Sequence, residues 1–303
     1  MTISSYTSDR TAVNAASRDP FQRELLKRAI QLAYEEDFGA GHPIDLTTQA
    51  VAGPQLKANA VIYCKQSGVY VSGLSILGDV FRYLEPKTEI ELLIEDGAYI
   101  DKAPYPVARI SGYAFAVLGA ERIALNLLQR MSGITTMTRQ FVERAAGHGI
   151  AILDTRKTTP GLRVFERYAV IVGGGVNHRF GLNEKILLKD NHIQIAGGVA
   201  GAIKAVRKAY PDSEIEVECA NLNQVEESLT EKVEKVMLDN MTADMVRDAV
   251  ALINGRTYVE VSGGITLDNI ADYLIPGVDA ISIGALTHSV KSVDLSLEVE
   301  GYL

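Results

Sequence analysis

The sequence predicts an α/β chain in two parts: a small α+β domain followed by a compact or incomplete parallel β/α barrel. Three observations lead there. Residues 57–115 are β-rich and broken by glycine pairs. After residue 150 short apolar strands alternate with helical stretches, as in a parallel sheet covered by helices. Several of those strands end in charged or small polar residues, where β/α barrels place their active sites. The 303 residues suffice for two domains, and 47% hydrophobic content supports real cores.

Taken in order, the first twenty residues, MTISSYTSDRTAVNAASRDP, are polar and lack the apolar run of a secretory signal. A flexible tail is expected over 1–20. Leu25, Leu26, Ala29, Ile30, Leu32 and Ala33 recur at helical spacing between Phe21 and Glu36, and Asp19-Pro20 is a helix start. The turn-rich link DFGAGHPIDLTT leads into KANAVIYCKQSGVYVSG and TEIELLIEDGAYI, with a short helix near SILGDVFRYL. Residues 119–146 read as helix, broken or bent at Gly133. Strands are expected at 151–155, 185–190, 214–220, 235–240, 258–264 and 280–285, and helices at about 199–209, 222–231, 242–254 and 266–274. The domains expected are 21–130, with 290–303 packing back on it, and a barrel over 131–289. That span is short for a full eight-stranded barrel, which takes about 250 residues.

The bulk composition excludes several classes. A net charge of -8 argues against generic nucleic-acid or anionic-membrane binding. No window approaches 18 uninterrupted apolar residues, so no transmembrane helix is expected. Cys64 and Cys219 are far apart and have no metal-ligand spacing. A disulfide framework is therefore not expected, and a reducing cytoplasm fits.

Against that acidic background the stretch Asp154–His192 carries seven Lys/Arg and four Asp/Glu, a local balance of +3 that leaves -11 elsewhere. A basic pocket in an acidic protein suits a small, multiply anionic ligand. Arg156, Lys157, His178, Arg179 and Lys189 all lie at or beside expected strand ends. Arginine offers a planar fork for carboxylates, lysine a point charge for phosphates. SGGI (262–265) and SIGA (282–285) close the last two strands, where Ser262, Gly263, Gly264 and Gly284 let backbone N–H groups approach a phosphate. Glu218 and Asp239 end two successive strands. Carboxylates there could hold ribose hydroxyls, coordinate Mg²⁺ through water, or stabilise a developing cation. Cys219 should point to the opposite strand face as an inert thiol. His192 reads as structural, and His42, His148 and His288 carry no pattern. The triple glycine 173–175 matches neither a Walker loop nor a dinucleotide fingerprint and is expected to be a flexible turn.

DTRKTTPGLR, GGGVNHRFGLNEKILLKDNHI, EVECAN, VMLDNM, VSGGI and ERIALNLLQRMSGI occur here in the order seen in quinolinate phosphoribosyltransferases, and from about residue 22 onward the chain resembles that family. The link EDFGAGHPIDLTT is longer than in many relatives. The resemblance implies an N-terminal α/β open sandwich and a C-terminal, incomplete TIM-like α/β barrel. It implies a pentosyltransferase that makes nicotinate mononucleotide, pyrophosphate and CO₂ from quinolinate and phosphoribosyl pyrophosphate, with Mg²⁺, at the entry to NAD synthesis. It also implies a homodimer or larger assembly whose pocket is completed by an arginine of the partner subunit, here matched by Arg122. The carboxylate-binding arginine matches Arg156, its neighbour Lys157, the His-Arg pair His178 and Arg179, and the lysine of KDNH Lys189. The acidic pair matches Glu218 and Asp239, and the 5′-phosphate loops match Ser262, Gly263, Gly264 and Gly284.

On that scheme Arg156, Arg179 and a neighbour's Arg122 hold the two carboxylates with help from His178, and Lys157 and Lys189 hold pyrophosphate with Mg²⁺. Glu218 and Asp239 orient the ribose and stabilise oxocarbenium character. The alternatives are a barrel lyase with Lys157 or Lys189 as a Schiff-base amine, a repurposed, non-catalytic paralogue binding a phosphorylated ligand, and a relative acting on nicotinate.

Overall fold

A computed structural model describes residues 19–39 and 44–302. The expected tail over 1–20 lies outside them, save Asp19 and Pro20, as does His42 in the link. The chain begins with α1 (Pro20–Phe38), α2 (Leu46–Ala52), β1 (Lys57–Cys64), β2 (Val69–Val71), α3 (Leu77–Leu84), β3 (Glu89–Leu92), β4 (Ala98–Ile100) and β5 (Tyr105–Tyr113). It continues through α4 (Ala114–Gly119), α5 (Glu121–Arg144), β6 (Ala151–Leu153), α6 (Arg163–Val172), β7 (Ile186–Leu188), α7 (Asp190–Ile195), α8 (Val199–Ala209) and β8 (Ile215–Cys219). Last come α9 (Leu222–Thr230), β9 (Lys235–Asp239), α10 (Ala243–Ile253), β10 (Tyr258–Ser262), α11 (Ile270–Tyr273), β11 (Ala280–Ser282), α12 (Ala285–His288) and β12 (Leu295–Tyr302).

Two compact units emerge. The first comprises the described residues through Thr138 together with Thr158–Gly174 and Ser289–Leu303; the second comprises Arg139–Lys157 and Gly175–His288. The boundary expected after residue 130 lies in mid-helix, inside α5.

The first unit is built on an antiparallel sheet of order β12-β1-β5-β3, with β2 and β4 as a separate pair. Ala58, Ala60, Ile62 and Cys64 alternate along one face of β1 and are buried, as period-2 patterning requires. Asp19 caps α1 by accepting from the Phe21 N–H, with proline at the first turn. Within α5 the buried Ala124, Leu128, Met131, Thr135 and Thr138 recur every three or four residues.

Gly133 does not break α5, contrary to expectation. A Cβ there would lie 2.2 Å from the carbonyl oxygen of Lys291, so the glycine serves a close approach of the returning C-terminal segment. Nor is the triple glycine loose. Gly173 caps α6, and a Cβ on it would meet Thr138 at 2.6 Å.

The second unit holds a six-stranded parallel sheet of order β6-β11-β10-β9-β8-β7 covered by helices, the incomplete barrel expected. A one-residue parallel bridge, Leu153 to Val176, extends it beyond β6. Asn221 and Thr242 cap α9 and α10, and Asn254 ends α10 in the left-handed conformation. The helix expected at 266–274 shrinks to α11. Thr266 and Asn269 exchange side-chain-to-backbone hydrogen bonds in the manner of a capping box, through the turns that lead into it.

Register fixes what each strand face carries. Ile215, Val217, Cys219, Val236, Leu238, Val259, Val261 and Ile281 alternate on one face, nearly all inaccessible. The other face carries aligned rungs: Glu216 with Lys235 and Tyr258; Glu218 with Met237 and Glu260; Asp239 with Ser262 and Ser282.

Candidate functional site

Every expected site residue except Arg122 falls in the second unit, at the carboxyl ends of its strands. Lys157 follows β6 by a short turn in which its N–H donates to Thr155 Oγ1 at 3.1 Å. Thr287 Oγ1 donates to the Lys157 carbonyl at 2.8 Å, which ties this turn to α12. The Lys157 side chain runs past Gly284: a Cβ on that glycine would meet Lys157 Cδ and His288 Nε2, each at 3.0 Å. The last phosphate-loop candidate thus has two basic side chains beside it. His288 has no sequence pattern of its own; only its spacing of four from Gly284 could have marked it.

The second candidate loop is built by glycine geometry. Gly263 (φ +94°) and Gly264 (φ +66°) follow β10 in the left-handed region, and a Cβ on Gly263 would lie 2.3 Å from Asn240 Oδ1. Asn240 N–H donates to the Ser262 carbonyl at 2.8 Å, and Asn269 Nδ2 donates to the Gly264 carbonyl at 2.9 Å. These bonds fix the loop in which the sequence reading expects a phosphate.

Arg156 and Arg179 lie within electrostatic reach of each other. Burial, then the neighbouring charge of Arg156, lower the pKa of Arg179. Glu216 and Glu218 act in the opposite sense, and two guanidinium groups in reach of each other favour an anion that joins them, as in a carboxylate site. One arm of Arg179 is already used: Nη1 donates to the Lys185 carbonyl at 2.8 Å, just before β7.

Lys189 Nζ pairs closely with Glu218 Oε2, on the next strand. Lys189 is therefore not the isolated amine in an apolar pocket that a Schiff-base lyase uses. Asp239 accepts from its neighbour Asn240 Nδ2 at 2.7 Å. Glu218 and Asp239 are both half-buried and share the interior strand face. They offer hard carboxylate oxygens of the type Mg²⁺ takes alongside water and substrate phosphates, so the donor set fits that ion.

His178 is held by partners the sequence did not show. Its ring is directed into the sheet interior, with Nε2 3.4 Å from Glu216 Oε2 and 3.5 Å from Glu260 Oε2. Its N–H donates to buried Asp154 Oδ1 at 2.7 Å, and its Nδ1 accepts from the Arg179 N–H at 2.8 Å. Burial alone would lower the imidazole pKa, while hydrogen bonds to Glu216 and Glu260 act to raise it. The Arg179 N–H acts in the opposite sense, because it occupies the lone pair a second proton needs. The hydrogen-bond geometry decides: the ring is neutral, with its one hydrogen on Nε2. Burial, and then the charge of Glu216, raise the pKa of Glu260; at Glu216 burial acts the same way, but His178, Lys235 and Glu260 together outweigh it and lower the pKa. Asp154, Glu216 and Glu260 are functional-site candidates the sequence did not yield.

Two further residues behave as read. Cys219 is buried on the opposite strand face, with burial pushing its thiol up to about 11. His192 Nδ1 accepts from the Lys189 N–H and closes the start of α7. Arg122 lies in the first unit, exposed on α5 with its side chain 61% accessible and paired to Glu121 at 3.0 Å.

The chain matches two family models: quinolinate phosphoribosyl transferase, C-terminal domain, over residues 134–298, and the N-terminal domain of the same family over residues 45–132. It is 40% identical to the chloroplastic nicotinate-nucleotide pyrophosphorylase (carboxylating) of Oryza sativa subsp. japonica, over 91% of this chain and 78% of that protein. It is 38% identical to mitochondrial quinolinate phosphoribosyltransferase (decarboxylating) 2 of Nicotiana glauca, over 91% and 82%. Its structure is similar to that of NadC from Streptococcus pyogenes, with a TM-score of 0.84 and 38% identity over 94% of this chain and 98% of that one. Geometry and kinship agree: the chain belongs to the quinolinate phosphoribosyltransferase family.

Proposed function

We propose that the chain transfers the phosphoribosyl group of phosphoribosyl pyrophosphate to quinolinate and releases CO₂, giving nicotinate mononucleotide and pyrophosphate. The observation that carries this reading is the rim of the second unit. There Arg156 and Arg179 stand together, Lys157 lies along Gly284, and Lys189 pairs with Glu218.

On this reading Arg156 and Arg179 take the quinolinate carboxylates, one arm of Arg179 staying on the Lys185 carbonyl. The loops Ser262–Gly264 and Gly284 take the 5′-phosphate through backbone N–H groups, and Lys157 supplies charge beside them. Lys189 and Glu218 exchange their mutual pairing for pyrophosphate and the ribose. Glu218 and Asp239, on one strand face, orient the ribose hydroxyls and stabilise positive charge at C1 as pyrophosphate departs. The pyridine nitrogen then bonds to C1. Loss of the adjacent carboxylate as CO₂ leaves its electron pair on the ring carbon, stabilised by the neighbouring quaternary nitrogen, and that carbon then takes a proton from solvent. No protein nucleophile is required, and the catalytic gain is positioning and preorganised charge. Mg²⁺, held by Glu218 and Asp239 through water, would neutralise charge on the pyrophosphate.

The enzyme is further read as a homodimer or larger assembly in which Arg122 enters the neighbour's site, and as cytoplasmic. An exposed arginine fits the first, and two unpaired cysteines fit the second. Among the described residues no helix is long and apolar enough to cross a membrane.

The test is turnover of quinolinate with phosphoribosyl pyrophosphate, with and without Mg²⁺. Metal-dependent formation of CO₂ and nicotinate mononucleotide is expected. Quinolinate binding without turnover would instead support the repurposed, ligand-binding alternative. Mixing Arg122→Ala with Lys157→Ala subunits should restore activity lost in each alone; no restoration in proven heterodimers would remove the shared site.

A further inference from the structure

Glu216 and Glu260 lie inside the sheet of the second unit, 5% and 2% exposed. Carboxylates so buried are costly unless something there uses them. What they share, from two different strands, is the imidazole of His178; they also interact with each other, and Glu260 with Ser282. A third carboxylate, Asp154, holds the His178 peptide N–H. The outer ring nitrogen holds the Arg179 peptide N–H. Both nitrogens of His178 are thus committed inside the protein. Because Nδ1 accepts, the ring hydrogen is on Nε2 and faces the carboxylates as a donor. The trio is a hydrogen-bonded clamp, and its ring nitrogen is not a metal ligand.

The residue next to the clamped ring is Arg179, whose guanidinium is fixed at one end by the Lys185 carbonyl. A bidentate carboxylate grip works only when the fork is held in place by what surrounds it. We infer that Glu216 and Glu260 are positioning residues for quinolinate: they clamp His178 from inside the barrel and so fix Arg179, the next residue in the chain. This rests on the transferase reading above.

The test is steady-state kinetics of the wild type, Glu260→Gln, Glu216→Gln, His178→Ala and the double variant His178→Ala/Glu260→Gln. The KM for quinolinate should rise about tenfold in each single variant, the size of one lost charge-assisted hydrogen bond. The KM for phosphoribosyl pyrophosphate should stay put, a split that a merely loosened fold would not produce. The double variant should be no worse than His178→Ala alone. Side-chain ¹⁵N NMR of the wild-type enzyme, with His178 assigned by its loss in His178→Ala or His178→Asn, should show the hydrogen on Nε2 and a bare Nδ1. That measurement stands even if the Glu variants do not fold. A wild-type quinolinate KM in folded Glu216→Gln and Glu260→Gln, additive losses in the double variant, or a hydrogen on Nδ1 would each overturn the inference while leaving the transferase reading intact. A wild type without turnover would overturn both.

Discussion

The sheets of the two units bury different things. On β1 of the first unit the covered face runs Ala58, Ala60, Ile62, Cys64, and its register partners on β5 and β12 include Ala108, Ile110, Leu295 and Leu297. It is apolar throughout, as a face serving only stability should be. In the second unit the helix-facing side is equally apolar, but the interior side carries Glu216, Glu260 and Ser282, all buried. Parallel sheets covered on both faces ordinarily read as continuous apolar runs. The second unit gives up part of that burial for hydrogen-bonded charge beneath its rim. The first sheet is scaffold, and the second is scaffold on one face and machinery on the other.

That contrast can be broken most forcefully at the rim. Arg156→Ala should lower kcat/KM for quinolinate by about 10²–10³, the scale of losing one preorganised charge contact, while the melting temperature stays unchanged. An unaltered kcat/KM would remove Arg156 from the site. Ile62→Ala, at a fully buried position of the first sheet, should do the reverse. A loss of about 2–5 kcal/mol in denaturant unfolding is expected, with kcat and KM of the folded enzyme untouched. Impaired catalysis in folded Ile62→Ala would contradict the division between sheets. Gly263→Ala should act on both counts, since its Cβ would strike Asn240 Oδ1 on a left-handed backbone. A cost of about 1–3 kcal/mol is expected, with a raised KM for phosphoribosyl pyrophosphate and not for quinolinate. The smallest effect is Asp19→Ala, which removes a helix cap in the first unit and should cost about 1 kcal/mol with no kinetic change.

Much of this was legible in the sequence because periodicity and strand-end chemistry are local signals. Helix α8 and the β/α rhythm of the second unit follow from spacing alone, and the rim cations stand in two compact blocks. The Glu216–His178–Glu260 clamp was not legible, because its members come from three segments that only sheet register brings together. A clue was present nonetheless: alternation in EIEVEC and YVEVS puts Glu216 beside Glu218 and Glu260 beside Ser262 on one strand face. In a doubly covered sheet such glutamates cannot be solvated. The inward contacts of His178 were hidden for the same reason, since sequence shows its neighbour Arg179 but not the direction of its ring. Gly133 was misread because a glycine serving a contact 158 residues away looks, locally, like a helix breaker.

The most direct single measurement gives the enzyme quinolinate and nicotinate together, with phosphoribosyl pyrophosphate and Mg²⁺, and counts CO₂ released against mononucleotide formed. A rim with two guanidinium groups for a dianion should use quinolinate alone and give one CO₂ per mononucleotide. Mononucleotide formed in excess of CO₂ would mean that the monoacid is accepted, and that the paired guanidinium groups are not a dicarboxylate site.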